Sequence, residues 1–136
     1  MKVLVDTSVW SQVFRRQIDK NANNALRSQL KELIEEQRAE IIGPIRQELL
    51  SGIRTSQQYL LLLEKLRAFK DLIISRADWE RAAEMANICR AEGIQGSHTD
   101  FLICSVSERN HLSIFTADCD FNRYAEKLPI LLFSPP

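Results

Sequence analysis

Long apolar runs are absent from this 136-residue sequence. No stretch approaches the roughly 20 residues needed to cross a bilayer, so a membrane protein is not expected. The N-terminus has one lysine, Lys2, and then enters the short run Val3-Leu4-Val5, which is not a signal-peptide pattern. A cytoplasmic protein is the expectation. Cysteine is scarce: Cys89, Cys104 and Cys119, with no CxxC, and only His98 and His111 to join them. That excludes a structural zinc site, and the odd count excludes a disulfide framework. The cysteines read as small buried hydrophobes. Net charge is zero, so bulk charge does not advertise a polyanionic partner. Such a partner has to be met by a local patch or by bound cations. Repeats, low-complexity tracts and linkers are missing too. What remains is 45% hydrophobic and 26% charged, the composition of a soluble globular protein with one domain spanning 1–136.

Residues 2–5 read as a first, buried strand. Leu26, Leu30, Leu33 and Ile34 share a helical face, giving a helix over 23–37. A short strand over 39–42 precedes Gly43-Pro44, a strand-to-helix turn with proline at the first helical position. That helix carries Glu48 and stops near Ser51-Gly52. A leucine-rich helix follows over 56–69, then a strand at Leu72-Ile73-Ile74. Ser75 and Asp78 form a capping box for a helix in which Trp79, Ala82, Ala83 and Ala86 share a face. Ser97 or Thr99 caps a helix over 100–110 whose Phe101-Leu102-Ile103 run is expected to be deeply buried. A strand over 113–115, a helical turn over 124–127 and a strand over 130–132 complete the chain. Strands alternating with helices imply a mostly parallel sheet covered on both faces, a three-layer α/β/α sandwich.

In that architecture ligands bind beyond the carboxyl ends of the strands. Asp6 lies just past the first strand, and Thr116 and Asp118 just past a later one. Each acid has an ordinary explanation when taken alone. Glu48 has apolar neighbours at Ile45 and Leu49 and is either a rim residue or a functional group. Asp100 near a helix start complements the dipole, and Asp118 suits a turn. His98 reads as an exposed loop residue and Phe121 as a core plug.

The acids carry more weight as a set: VDTS, QELLSG, HTDFLICS and FTADCDF. In the order and spacing of these motifs, over nearly its whole length, the chain resembles the PIN-domain ribonucleases. It is most like the small members that serve as VapC toxins of bacterial toxin–antitoxin pairs. The resemblance implies a PIN-like α/β/α fold and a catalytic, metal-binding set of Asp6, Glu48, Asp100 and Asp118. Thr116 matches the hydroxyl two positions before the fourth acid. It further implies RNA as substrate, an antitoxin protein as partner and a homodimer.

The chemistry agrees. Two ionised carboxylates about 5 Å apart repel by about 3 kcal/mol at an effective dielectric near 20. Four converging acids therefore protonate or bind cations. Mg²⁺ and Mn²⁺ take carboxylate and water oxygens and leave positions for phosphate. Glu48 is expected to orient or deprotonate the attacking water, or to bridge to the metal. Ser8 and Thr116 are expected to fix carboxylate orientation, and Asp120 is either an auxiliary ligand or a solvated turn residue. Arg15, Arg16, Lys20 and Arg54 are candidates for a basic rim. The Leu60–Leu63 run exceeds one helix stripe and suits a dimer or antitoxin groove.

Other readings use acids at a sheet edge. A haloacid-dehalogenase-like phosphatase wants an aspartate at position 8, where this chain has Ser8. A receiver domain wants an N-terminal acidic pair and a phosphoacceptor on the middle strand, and residues 71–78 supply none. A housekeeping PIN nuclease and a non-catalytic metal-binding interaction module remain as alternatives.

Overall fold

The computed structural model describes residues 1–14 and 24–134. β1 (Val3–Val5) leads into α1 (Thr7–Phe14), α2 (Asn24–Glu35), β2 (Ala39–Glu40), α3 (Gly43–Leu50) and α4 (Ser56–Leu66). α5 (Arg76–Ala91), α6 (His98–Asn110), β3 (Ser113–Phe115), α7 (Asp120–Lys127) and β4 (Leu131–Leu132) follow. The four strands form one parallel sheet in the order β2-β1-β3-β4, with the helices stacked on it as α/β/α layers. β1 is apolar at every position and all three side chains are buried. That is the pattern of a strand covered on both faces.

The sheet order places a topological switch point between β1 and β3. From β1 the chain moves to one side to make β2 and later to the other to make β3. At such a point the connections diverge and leave a crevice at the carboxyl ends of the strands. Register pairs Val5 with Phe115, so Asp6 and Thr116 leave the sheet side by side. α6 ends two residues before β3 begins and therefore runs back along the sheet. Its 13 residues span about 20 Å, which returns its N-terminus to the same edge.

Several expectations are met in detail. Ser75 and Asp78 form a reciprocal capping box, and Ser97 caps α6. Phe101, Leu102 and Ile103 are buried, Phe121 is fully buried, and His98 is exposed. α3 has proline in its first turn and ends at Ser51, before Gly52 at φ +81°.

Others are corrected. Leu72-Ile73-Ile74 is not a strand. A single bridge joins Ile41 to Asp71, and Ile73 is 79% exposed, so the β-branched run finds no partner to extend the ladder. α1 was not expected from a stretch rich in serine, threonine and valine, which are modest helix formers. It is held by burying Val9 and Trp10. α7 begins at Asp120, a turn earlier than the expected helical turn. The buried face of α5 is Asp78, Ala82, Met85 and Cys89. Trp79, half-exposed, does share a face with Ala82, Ala83 and Ala86 as expected, and that face lines a surface cavity of about 220 Å³ with Phe101. Cys89 and Cys104 are buried but Cys119 is exposed, against the expectation of packing for all three. In the leucine run, Leu60 and Leu61 are exposed while Leu62 is buried. Arg15, Arg16 and Lys20 lie outside the described residues; Arg54 is exposed.

Candidate metal centre at the sheet edge

Asp6 follows β1 without a spacer, and its backbone carbonyl accepts the Val9 and Trp10 amides that open α1. Its carboxylate is therefore set at a helix N-terminus, where the dipole favours negative charge. The residue is 7% exposed. Two hydroxyls reach one of its oxygens: Ser8 and Thr116 each donate to Oδ2 at 2.8 Å. Each hydroxyl also accepts a backbone amide, Ser8 from Ala117 at 3.0 Å and Thr116 from Asp118 at 3.0 Å. The pair thus locks the loop after β3 to the loop after β1. The expected role of both hydroxyls in orienting a carboxylate is visible here as geometry.

Asp118 sits one residue beyond the turn that Thr116 anchors. Its Oδ1 accepts the Asp120 amide at 2.9 Å, an Asx turn that opens α7. Carboxylate oxygens of Asp118 and Asp120 and the Cys119 sulfur lie within 4.8 Å of one another. Asp120 is thus next to the cluster, and Cys119 is a thiol at its rim.

Asp100 enters from the first turn of α6, where its amide donates to the Ser97 hydroxyl at 3.1 Å. Burial pushes its carboxyl above the ordinary carboxylate value. The Tyr124 phenol and Ser97 hydroxyl oppose that, while the Asp6 and Asp118 carboxylates add to it. Asp6, Asp100 and Asp118, far apart along the chain, thus share one electrostatic neighbourhood. Tyr124, buried on α7, donates to Asp100 Oδ2 at 2.7 Å. Sequence reasoning missed Tyr124; a tyrosine three residues after the buried Phe121, on the same helical face, was the available signal. Glu48 lies on the exposed side of α3 between buried Ile45 and Leu49. α3 packs against α1, the helix that follows Asp6.

Among the described residues, no lysine, arginine or histidine forms an ion pair with Asp6, Asp100, Asp118 or Asp120. The chain is capable of such pairing: buried Asp78 is gripped by Arg109 through Nε at 2.6 Å and Nη2 at 2.7 Å. Among the described residues, the donors to the Asp6, Asp100 and Asp118 carboxylates are hydroxyls and a backbone amide. Oxygen ligands with uncompensated negative charge suit a hard divalent cation, so the residues present fit Mg²⁺ or Mn²⁺.

A PIN-domain family model matches residues 3–127. No curated relative matches the chain. Among solved structures, it is similar to FitAcB from Neisseria gonorrhoeae, at 20% identity and TM-score 0.76, over 98% of this chain and 97% of the other. VapBC2 from Rickettsia felis, bound to a promoter DNA fragment, matches at 16% identity and TM-score 0.73 over the full length of both chains. VapBC-5 from Mycobacterium tuberculosis, a member of a toxin–antitoxin family, matches at 21% and 0.66, over 97% and 98%.

Proposed function

The chain belongs to the PIN-domain family, and from that membership we propose that it is an endoribonuclease dependent on Mg²⁺ or Mn²⁺, the toxin of a VapBC-type pair. The observation that carries this reading is that Asp6, Asp100 and Asp118 share one electrostatic neighbourhood at the sheet edge with no basic partner among the described residues. A phosphodiester would be repelled by bare carboxylates, so the site has to take up positive charge before it can take up RNA.

Asp6, Asp100 and Asp118 hold the cation, with Glu48 completing the set and Asp120 as an auxiliary ligand. When bound, the ion supplies Lewis-acid polarisation of phosphate and lowers the pKa of a coordinated water. Ser8 and Thr116 keep the Asp6 carboxylate in one orientation. Glu48 either orients the attacking water, accepts its proton or bridges to the metal. The helix N-termini at Thr7 and Asp120 add partial positive charge at the same edge.

The likeness to toxin–antitoxin assemblies supports an antitoxin partner, and exposed Tyr59, Leu60 and Leu61 on α4 supply an apolar patch for that contact or for a homodimer. A PIN nuclease with a housekeeping role in RNA processing uses the same site. No helix among the described residues is long and apolar enough to cross a membrane.

The test is RNA cleavage by the purified chain with Mg²⁺ or Mn²⁺ and with EDTA, alongside Asp6→Asn. Cleavage that needs added metal and is lost in the variant is the expected result; sequencing the RNA ends then defines the target. Metal binding without cleavage of any RNA pool would favour a non-catalytic interaction module. Cleavage unaffected by both EDTA and the substitution would refute the assignment.

A further inference from the structure

We propose that Tyr124, seated in a slot that Gly96 leaves open, is a positioning residue that aims the Asp100 carboxylate at the cation. The proposal rests on the metal-dependent reading above and names a part of that same site. The phenol donates to Asp100 Oδ2 at 2.7 Å across 24 residues of sequence, joining α7 to the start of α6. The ring is fully buried. Phe101 and Phe121 flank it at centroid distances of 5.2 and 5.1 Å. Its hydroxyl has been brought there by shape on the third side as well. A Cβ on Gly96 would lie 2.3 Å from the phenol oxygen and 2.8 Å from Cζ. With both aromatic neighbours in place the ring has no room to yield, so any larger residue at 96 displaces the hydroxyl from Asp100.

The chemical choice of donor is informative. A guanidinium or ammonium at this position would fix the carboxylate equally well but cancel its charge and compete with the metal. A phenol restrains the oxygen and leaves the charge intact. Asp6 is held by the same device, two neutral hydroxyls. Packing alone would be satisfied by phenylalanine, the residue at both flanking positions.

The experiment compares the intact chain with Tyr124→Phe and Gly96→Ala. Mn²⁺ binding is followed by the EPR signal of free Mn²⁺, and metal-free Tm is measured in parallel. Loss of a partner that orients a metal ligand weakens binding by about 10- to 100-fold. Tyr124→Phe should therefore raise the Mn²⁺ half-saturation by at least about tenfold with little change in metal-free Tm. Gly96→Ala should raise the half-saturation too with the hydroxyl still present, at a cost in metal-free Tm from the crowded Cβ, and excess Mn²⁺ should restore kcat. Unchanged Mn²⁺ affinity in Tyr124→Phe, whether or not Tm falls, overturns the positioning role alone. No Mn²⁺ binding by the unaltered chain overturns the metal reading and this proposal with it.

Discussion

Replacing Asp100 by asparagine should stabilise the metal-free protein and abolish its stabilisation by metal. The side chain keeps its shape, and its amide oxygen can still accept from Tyr124. What disappears is a charge that burial disfavours and that Asp6 and Asp118 repel. At an effective dielectric near 20, a carboxylate pair about 6 Å apart repels by about 3 kcal/mol. Asp100 and Asp118 are only half-buried, so solvent screens part of this and a net relief of about 1–2 kcal/mol is the realistic scale. For a domain of this length each kcal/mol moves Tm by about 3–5 °C, so the metal-free Tm should rise by about 3–10 °C. With Mn²⁺ at about 100 times its Kd, the unaltered protein gains about 2.7 kcal/mol, while the variant gains little. The two melting curves should therefore exchange order between EDTA and saturating Mn²⁺, in a scanning-calorimetry or fluorescence melt. A variant that melts lower than the unaltered chain in EDTA would refute the repulsion on which the site's reading stands. So would equal Mn²⁺ stabilisation of both.

Two further perturbations probe the scaffold. Asp78 is buried, which by itself would raise its pKa, yet hydrogen bonds and charge from Arg109, with the Ser75 cap, bring it below the ordinary value. Its stabilisation is thus present above the unfolded carboxylate pKa near 4 and lost as pH falls through the depressed folded value. Arg109→Ala should cost about 2 kcal/mol at pH 7, less than for a fully buried pair because Arg109 is 45% exposed on its side chain. In a urea-unfolding series against pH that deficit should shrink as pH falls below about 4, flattening the acid limb; a deficit that stays constant down to about pH 2 would count against the pair. On α4, Leu62→Glu should unfold the protein, since Leu62 is 5% exposed, whereas Leu61→Glu should fold normally at 58% exposed. If α4 forms the association surface, light scattering should show Leu61→Glu alone shifting mass towards monomer; retained mass in a folded Leu61→Glu protein would move the interface elsewhere.

How legible the molecule was varied with the range of the interaction. Caps at Ser75 and Ser97, the proline-led start of α3 and the heptad-like face of Leu30 and Leu33 depend on neighbours within one or two turns, and all were readable. Leu72-Ile73-Ile74 was misread because β-propensity reports a willingness to pair, while pairing needs a strand edge within reach. The stripe of Trp79, Ala82, Ala83 and Ala86 on α5 was readable as one face, but not what that face meets. Alanines permit close packing without saying which side receives it; the core takes Asp78, Ala82, Met85 and Cys89, and Arg109 bonds the Asp78 carboxylate.

The linear chain determined that acids follow two strands and open a later helix, since strand ends and helix starts are written in local apolar runs and capping residues. Only the tertiary structure decided that those acids meet, with no basic side chain paired to them among the described residues. Parallel register sets Asp6 beside Thr116, the return of α6 brings Asp100 to the same edge, and Gly96 leaves space for a phenol from α7. Such meetings depend on how separate elements pack, and packing is a property of the assembled core that no short window of sequence contains.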